Sequence, residues 1–271
     1  MTRVVLIGAA GRMGRTLAAG LLDGAVPGLQ LSGGVDMASK PEQGFDLGLL
    51  AGRPPCGIPL TSDLPKALDE GDVFIDFSFH RGIRQRVNLL AAAHKAVVIG
   101  TTGLDDHELS DVKELATHCP ILFSANMSLG INLLASLVEQ AASMLKDKGY
   151  DIEITEMHHR MKKDAPSGTA LLLGEAAAKG SGWKLSEVQK DGRGGITGER
   201  PAKEIGFHAL RGGDVVGDHT VRFAADGELI DLSHRATRRE TFAFGALRAA
   251  EWLVNQKPGK LYAMKDVLGI A

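Results

Sequence analysis

The residues best suited to chemistry lie in one segment, where two adjacent histidines are followed closely by cationic side chains. His158 and His159 precede Arg160, Lys162 and Lys163. Cations crowded together repel one another unless an anion joins them, and a solvated basic face is the alternative. The segment therefore predicts a site for an anionic ligand.

The same segment runs into a predicted helix whose start suits a carboxylate. Ser167, Gly168 and Thr169 follow Pro166, and the free N–H groups of a helix N-terminus bind anions. The stretch before the histidines alternates as a strand, so adjacent side chains point to opposite faces. One of the two histidines is therefore expected to be structural.

Metal binding and serine hydrolysis are two further interpretations of this segment. Glu156 and His158 share a strand face and His159 is adjacent, but there is no H-E-x-x-H pattern and the nearby cations would repel a metal ion. No G-x-S-x-G motif occurs either. We expect no metal. Because Cys56 and Cys119 lack short-spaced partners, they form no disulfide framework, and a reducing cytoplasm is expected.

A glycine turn near the start of the chain predicts a dinucleotide site. Gly8, Gly11 and Gly14 have the spacing G-x-x-G-x-x-G between a predicted strand and a predicted helix. Glycine lets the backbone approach a pyrophosphate, which the helix N-terminus attracts. The candidate contacts of this turn also include Arg12 and Met13. A tight turn without a ligand is the alternative.

Asp36 follows the second predicted strand, about 20 residues beyond the glycines, where an acidic side chain accepts hydrogen bonds from ribose hydroxyls. A strand-end turn is the other interpretation. A 2′-phosphate would favour a basic neighbour, yet the next residue is Met37, although Lys40 and Arg12 could substitute. The cofactor is therefore NADH or NADPH, with NADH favoured by Asp36.

The first half of the chain alternates between strand and helix patterns. Predicted strands cover residues 3–7, 29–35, 73–77, 96–99 and 121–124, and predicted helices cover 12–22, a segment ending at 93, and 105–117. This order predicts right-handed βαβ crossovers and a Rossmann-type parallel sheet with helices on both faces.

The second half follows a different pattern, which predicts an α+β domain. A helix at residues 131–146, a strand at 151–157 and a helix after Pro166 precede three strands at 202–210, 215–224 and 228–232, predicted as an antiparallel meander. The glycine-rich residues 191–198 are predicted to form a mobile loop. An amphipathic helix at 240–254 is expected to return to the first sheet. The predicted domains are residues 1–126 with 237–271, and 127–236, the latter for substrate and oligomerisation.

Composition excludes several classes of function. The chain is 44% hydrophobic and 24% charged, with a formal net charge of −2. Its charges are interspersed, so no basic stripe indicates nucleic acid as a partner. No run approaches the roughly 20 apolar residues that span a bilayer. We expect an ordinary globular protein with a small-molecule substrate.

Taken together, these motifs resemble those of the dihydrodipicolinate reductase family, also called 4-hydroxy-tetrahydrodipicolinate reductase. Residues 156–170 look like its signature E-x-H-H-x-x-K-x-D-A-P-S-G-T-A, and residues 8–14 look like its nucleotide loop. Residues 98–103, 124–128 and 211–219 match three further segments. The resemblance covers essentially the whole chain. A departure occurs at residues 79–81, Phe-His-Arg, where the family commonly has Pro-Glu or similar.

The resemblance implies a role for each matching residue. His158 would protonate the substrate, assisted by Lys162, while His159, Gly168 and Thr169 would hold a dicarboxylate. The implied cofactor contacts beyond the first turn are Gly100, Thr101, Thr102, Ser124, Ala125, Asn126 and Met127. The family reduces a cyclic unsaturated dicarboxylate with NADH or NADPH in lysine and diaminopimelate biosynthesis, and its members are commonly homotetramers.

Two other functions fit part of the sequence. A dehydrogenase of aspartate or its semialdehyde would explain the nucleotide half but not the paired histidines beside Lys162. A dinucleotide-binding regulator would leave that histidine-lysine segment without a chemical purpose. In a regulator, replacing His158 by alanine would leave the function intact.

Overall fold

The computed structural model describes residues 1–270, which form two compact units. One unit contains Met1–Leu129 and the chain from Glu240 onward, and the other contains Gly130–Arg239. Each unit has its own sheet and its own apolar core. Among the described residues, no helix combines the length and apolar character that crossing a membrane requires.

The elements follow the chain in three stretches. Up to residue 123 they are β1 (Thr2–Ile7), α1 (Arg12–Leu22), β2 (Leu29–Val35), α2 (Leu47–Leu50), β3 (Leu60–Thr61), α3 (Leu64–Ala67), a 3₁₀ turn (Leu68–Glu70), β4 (Val73–Asp76), α4 (Ile83–Ala92), β5 (Ala96–Ile99), α5 (Asp106–Leu115) and β6 (Ile121–Phe123). Next come α6 (Leu129–Leu145), β7 (Asp151–His158), α7 (Gly168–Ser181), α8 (Leu185–Val188), β8 (Gln189–Asp191), β9 (Ile205–Arg211), β10 (Gly217–Ala225) and β11 (Glu228–Ala236). The last are α9 (Glu240–Leu253), β12 (Leu261–Tyr262) and α10 (Met264–Val267).

The first unit is built on a parallel sheet, as predicted. Its strand order is β12-β6-β5-β4-β1-β2-β3, and every paired neighbour is parallel. Apolar layers cover both faces, one with α1 and α9 and the other with α4 and α5. Such continuous burial is typical of central parallel strands. The helix α9 packs on α1 and the central strands, which confirms its predicted return to the first sheet.

Two strands at the edges of this sheet are absent from the sequence-based prediction. β3 and β12 contain two residues each. A strand of two residues has no measurable alternation, so only pairing with a longer neighbour defines it. By contrast, the predicted bounds of α1, β2 and β5 agree with the structure.

The second sheet is mixed, and the predicted three-stranded meander is wrong. Its order is β11-β10-β7-β9-β8, so β7 lies between β9 and β10. β9 is parallel to β7 and to β8, while β10 is antiparallel to β7 and β11. Only the β10–β11 hairpin of the meander is confirmed.

Backbone hydrogen bonds at the end of β7 explain why β9 and β10 do not pair. The N–H of Gly212 donates to the carbonyl of His158 at 2.9 Å, and the N–H of His159 donates to Val215 at 2.8 Å. Backbone groups of the turn between β9 and β10 therefore form hydrogen bonds with the end of β7. At this end of the sheet β7 is therefore the partner of both β9 and β10.

One face of this sheet carries the core of the second unit. Ile152 and Ile154 of β7 pack with α6 and α7. Glu153 and Thr155 alternate to the other face. There Glu153 binds Arg193, which attaches one end of the glycine-rich segment to the sheet at 2.9 Å.

Candidate active site

The glycine turn after β1 is too tight for larger residues at two positions. Gly8 has a φ of +82°, and a Cβ there would lie 2.8 Å from the carbonyl oxygen of Phe77. A Cβ on Gly14 would lie 2.3 Å from the carbonyl oxygen of Gly8. The turn therefore presses α1 against β1 and leaves a backbone surface that a pyrophosphate can approach.

The N-terminus of α1 is suited to an anion. Its N-cap is Gly11, and no side chain from residues 1–270 caps it through a hydrogen bond. The first turn contains no acidic residue, and Arg12 is exposed there. Free N–H groups and the positive end of the helix dipole therefore remain for a phosphate. These residues fit a dinucleotide.

The side chain of Asp36 contacts the backbone of the glycine turn. Its buried carboxylate accepts hydrogen bonds from the N–H groups of Ala10 at 3.0 Å and Met37 at 2.8 Å. It thus braces the loop in addition to any contact with a ribose. Met37 itself is exposed.

The other candidate cofactor residues follow neighbouring strands. Gly100, Thr101 and Thr102 come after β5, and Ser124, Ala125, Asn126 and Met127 come after β6. Because β1, β5 and β6 are parallel members of one sheet, these residues and Gly8 share its carboxyl edge. Ligands of open parallel sheets bind at this edge.

A buried carboxylate that we did not select from the sequence organises the same edge. Asp76 ends β4 and accepts hydrogen bonds from Ser78 at 2.6 Å and from the Nε of Arg86 at 2.9 Å. Arg86 also donates to the carbonyls of Phe79 and Arg81. These bonds hold residues 77–82, the loop in which the chain departs from the family pattern. An aspartate directly after a buried strand is the signal that could have identified it.

In the second unit, His158 ends β7 and is buried. Its Nδ1 lies 2.6 Å from Oε2 of Glu156, which is two residues earlier on the same face. Its Nε2 faces Gly217, where an added Cβ would lie 3.2 Å away. The ring also meets His219 edge-on, with centroids 5.0 Å apart. The histidine is therefore held on three sides.

Glu156 is 1% exposed and accepts hydrogen bonds from several elements. Arg211 donates to both of its oxygens at 2.8 Å, and the N–H of Ser167 donates at 3.0 Å. Burial favours a higher pKa for Glu156, but the hydrogen bonds from Arg211 and His158 outweigh it and lower the pKa. The carboxylate is therefore ionised at neutral pH.

The pKa of His158 is lowered. Burial is the main cause, and the charges of Lys162 and Arg211 act in the same direction. Glu156 opposes them through its hydrogen bond and its charge. Without an anionic ligand, His158 is therefore mostly neutral at pH 7.

The remaining candidate substrate residues lie in the loop and helix after β7. Lys162 pairs with Asp164 at 2.9 Å. His159 is half-buried, so His158 is the deeper of the two histidines. Gly168 and Thr169 occupy the first turn of α7.

Ser167 caps α7 and connects it to His219. Its Oγ accepts a hydrogen bond from the N–H of Ala170 at 3.2 Å and lies 3.1 Å from Nε2 of His219. Burial is the main cause that lowers the pKa of His219 to about 4, so this histidine is neutral at pH 7. The cap fixes the helix turn that contains the candidate carboxylate site.

The structure thus gathers His158, His159, Lys162, Gly168 and Thr169 at one end of the second sheet. Three buried or half-buried residues that we did not select from the sequence support them: Glu156, Arg211 and His219. Glu156 could have been found because it lies two positions before His158. Arg211 and His219 come from separate strands; the family resemblance included residues 211–219, but no local pattern indicated that these two side chains reach Glu156 and His158. No group of three metal-ligating side chains occurs in the described part of the chain.

Hydride transfer to an anion needs a place for a dinucleotide and an acid that can protonate the substrate. The first unit contains a glycine turn that suits a dinucleotide, and the second unit contains a buried histidine that could supply a proton. Fold and site together define a dinucleotide-dependent reductase.

Comparisons with known proteins identify the particular family. The family model described as "Dihydrodipicolinate reductase, N-terminus" matches residues 2–127, and the one described as "Dihydrodipicolinate reductase, C-terminus" matches residues 130–268. The chain therefore belongs to the dihydrodipicolinate reductase family, as the sequence motifs predicted.

Similar proteins agree over the full length. The chain is 52% identical to the 4-hydroxy-tetrahydrodipicolinate reductase of Parvibaculum lavamentivorans, over 99% of this chain and 98% of the relative. It is 50% identical to that of Anaeromyxobacter dehalogenans, over 100% and 98%. A dipicolinate-bound dihydrodipicolinate reductase from Paenisporosarcina has the same fold, with a TM-score of 0.76, 23% identity and 97% of each chain covered.

These matches settle the class of activity. The chain is an NADH- or NADPH-dependent oxidoreductase of lysine and diaminopimelate biosynthesis, acting on 4-hydroxy-tetrahydrodipicolinate. Because the match extends through both halves, an aspartate or semialdehyde dehydrogenase is excluded.

Proposed function

We propose that His158 is the acid of this reduction and that Lys162 assists it. The observation that carries the proposal is the buried pair of Glu156 and His158, 2.6 Å apart, beside the capped start of α7. A buried histidine with one ring nitrogen held by a carboxylate has its other nitrogen available for proton transfer.

The overall reaction converts 4-hydroxy-tetrahydrodipicolinate to tetrahydrodipicolinate, and this difference determines which atoms are gained and lost. When bound, a reduced nicotinamide would supply one hydride, and the solvent would supply one proton through the acid. The hydroxyl group of the substrate leaves as water, and tetrahydrodipicolinate remains. Residues of the second unit therefore have two tasks, to hold the two carboxylates and to deliver the proton.

We assign the first task to His159, Gly168 and Thr169. Gly168 and Thr169 begin α7, where backbone N–H groups attract a carboxylate. His159 follows β7 directly, and its backbone N–H donates to the carbonyl of Val215, which fixes the position of the residue beside His158. Lys162 contributes positive charge, which a dianion needs when it leaves water.

We assign the cofactor to the first unit, residues 1–126 with 237–271, and the substrate to residues 127–236. Gly8, Gly11, Arg12, Met13 and Gly14 would hold the pyrophosphate at the start of α1. Asp36 would meet the adenosine ribose. The segments at residues 100–102 and 124–127 would approach the nicotinamide end, because they follow β5 and β6.

Because the pKa of His158 is lowered, we expect the histidine to become protonated only when the substrate binds. Burial keeps the free histidine neutral, whereas a bound dianion would raise its pKa again. We therefore expect substrate binding to draw one proton into the site. The proton arrives with the molecule that will use it.

A calorimetric titration tests this proposal. Pyridine-2,6-dicarboxylate, a stable planar dianion, is titrated near pH 7.5 in two buffers of different ionisation enthalpy, with cofactor present. We expect uptake of up to about one proton in the wild type and clearly less in H158N. Equal uptake in both proteins would contradict the assignment. Turnover is followed with NADH and NADPH separately, on substrate formed in place from pyruvate and aspartate semialdehyde.

We also propose a cytoplasmic homotetramer. The face of the second sheet opposite α6 and α7 exposes Thr155 and Leu210, a surface that another subunit could cover. The two cysteines, Cys56 and Cys119, are free, which suits a reducing compartment. Light scattering of the purified protein tests the oligomeric state.

A further inference from the structure

We propose that Glu156 is a positioning residue of the reaction, which holds a proton on Nδ1 of His158 and thereby makes Nε2 the atom that protonates the substrate. The inference rests on the proposed role of His158. It concerns a residue that never needs to touch the substrate.

The hydrogen bonds around Glu156 fix its charge. Oε2 lies 2.6 Å from Nδ1 of His158 and 2.8 Å from Nη1 of Arg211. Oε1 accepts from the N–H of Ser167 at 3.0 Å and from Nη2 of Arg211 at 2.8 Å. The arginine and backbone groups can only donate, so both oxygens must accept. Three of these four contacts are donors whichever tautomer His158 adopts, and together with the lowered pKa of Glu156 they indicate an ionised carboxylate.

An ionised Glu156 determines the tautomer of His158. A carboxylate oxygen only accepts, so the short contact requires that Nδ1 carries a hydrogen. The neutral ring then has its lone pair on Nε2. When the ring is charged, Nε2 holds the proton that can leave while Nδ1 keeps its own.

The contacts of the His158 ring determine where Nε2 points. The contacts of the ring with Glu156 and His219 fix its plane. Nε2 faces the backbone of Gly217, where the missing side chain leaves space. An alternative tautomer would direct its N–H toward this space and leave Nδ1 facing a carboxylate without a hydrogen between them.

The charges around His158 show why the carboxylate is needed. The ionisable groups that face the ring are Glu156 on β7, Lys162 on the following loop, Arg211 on β9 and His219 on β10. Glu156 is the negative one in this set. Burial, Lys162 and Arg211 lower the pKa of His158, and Glu156 raises it. Removing its charge therefore makes the protonated acid scarcer.

The decisive variant is E156Q. Glutamine offers one oxygen and one NH₂ group, so whichever way it turns, the NH₂ group meets an N–H of Arg211. If the NH₂ group also faces His158, it stabilises the wrong tautomer. We expect kcat/KM to fall by about 100-fold, within the range of general acid catalysis. The alkaline limb of the pH profile should move to lower pH.

The matched control is E153Q. Glu153 lies on the same strand but on its opposite face, and it also binds two arginines and a histidine. The same substitution therefore removes a comparable network far from Nε2. We expect its pH profile for kcat/KM to coincide with that of the wild type. E156D, which restores the charge on a shorter side chain, should recover part of the rate and move the pH profile back.

A measurement on the wild type keeps the inference testable if E156Q does not fold. Nitrogen-15 NMR of the imidazoles, with His158 assigned by comparison with H158N, reports the tautomer directly. Hydrogen on Nδ1 of the neutral ring is the expected result, and hydrogen on Nε2 would overturn the inference. A wild-type pH profile in folded E156Q would also overturn it.

The two proposals fail in different ways. Wild-type turnover in H158N would remove the acid and with it the proposed function. A large loss in H158N combined with an unshifted pH profile in E156Q would retain the acid and reject only the role of Glu156.

Discussion

Two glutamates three residues apart on β7 have similar partners but lie on opposite faces of the second sheet. Glu156 binds His158 and Arg211 on the face toward α6 and α7. Glu153 binds His208 and two arginines on the other face. The same residue types therefore form two charge networks on one strand.

The two networks differ in burial and in what they connect. The side chain of Glu156 is 1% exposed, and that of Glu153 is 20% exposed. Glu153 binds Arg193 and Arg200, which both lie in the segment after β8, and thereby attaches that segment to the sheet. Glu156 instead binds a histidine whose second nitrogen faces Gly217, a residue without a side chain. The two networks contain the same residue types, so what suits one of them to catalysis is its burial and its neighbours and not its composition.

The largest expected contrast between the faces is in turnover. H158A removes the proposed acid and should lower kcat by about 10²- to 10⁴-fold. H208A removes the histidine of the other network and should leave kcat within about twofold, because His208 lies on the face of the sheet opposite His158. Steady-state oxidation of NADH measures both. Similar losses in the two variants would show that the faces do not differ as we describe.

The second contrast is in acid stability. Burial raises the pKa of Glu153, but its arginine and histidine partners outweigh this and bring it from 4.5 to about 2. A carboxylate with a lowered pKa stabilises the fold above its unfolded value and loses that contribution as the pH falls toward the folded value. E153Q should therefore remove up to about 3 kcal/mol at neutral pH and less near pH 2.

Urea unfolding at several pH values measures this difference. The control is E139Q, which breaks the exposed pair with Lys179 in the same unit and should change stability by less than about 1 kcal/mol. A loss in E153Q that does not shrink toward low pH would contradict the assignment of the acid-sensitive contribution to Glu153.

The smallest expected effect on kcat/KM comes from adding one methyl group beside His158, compared with one added beside Met157. G217A would place a Cβ 3.2 Å from Nε2 of His158 and 3.3 Å from His219, so it should lower kcat/KM by about tenfold through displacement of the acid. G212A would place its Cβ 3.2 Å from the flexible end of Met157, which points to the opposite face. Its kcat/KM should stay near that of the wild type. Equal effects would mean that space beside Nε2 is not the cause.

Much of the fold follows from local patterns. The alternation of apolar strands and amphipathic helices predicted the parallel sheet, and α1, β2 and β5 have the predicted bounds. The place of β7 between β9 and β10 did not follow, because pairing depends on which distant backbone groups remain to be satisfied. A turn between two strands indicates a hairpin only when nothing else accepts its hydrogen bonds.

For the candidate site, the sequence by itself determined the segment from Glu156 to Thr169, because its histidines, its cations and its helix start are neighbours along the chain. It also determined the glycine turn, whose chemistry is local. Only the tertiary structure decided that Arg211 is opposite His158 and that His219 is opposite Glu156. The reason is physical: strand register joins residues more than fifty positions apart, and no local pattern encodes that register.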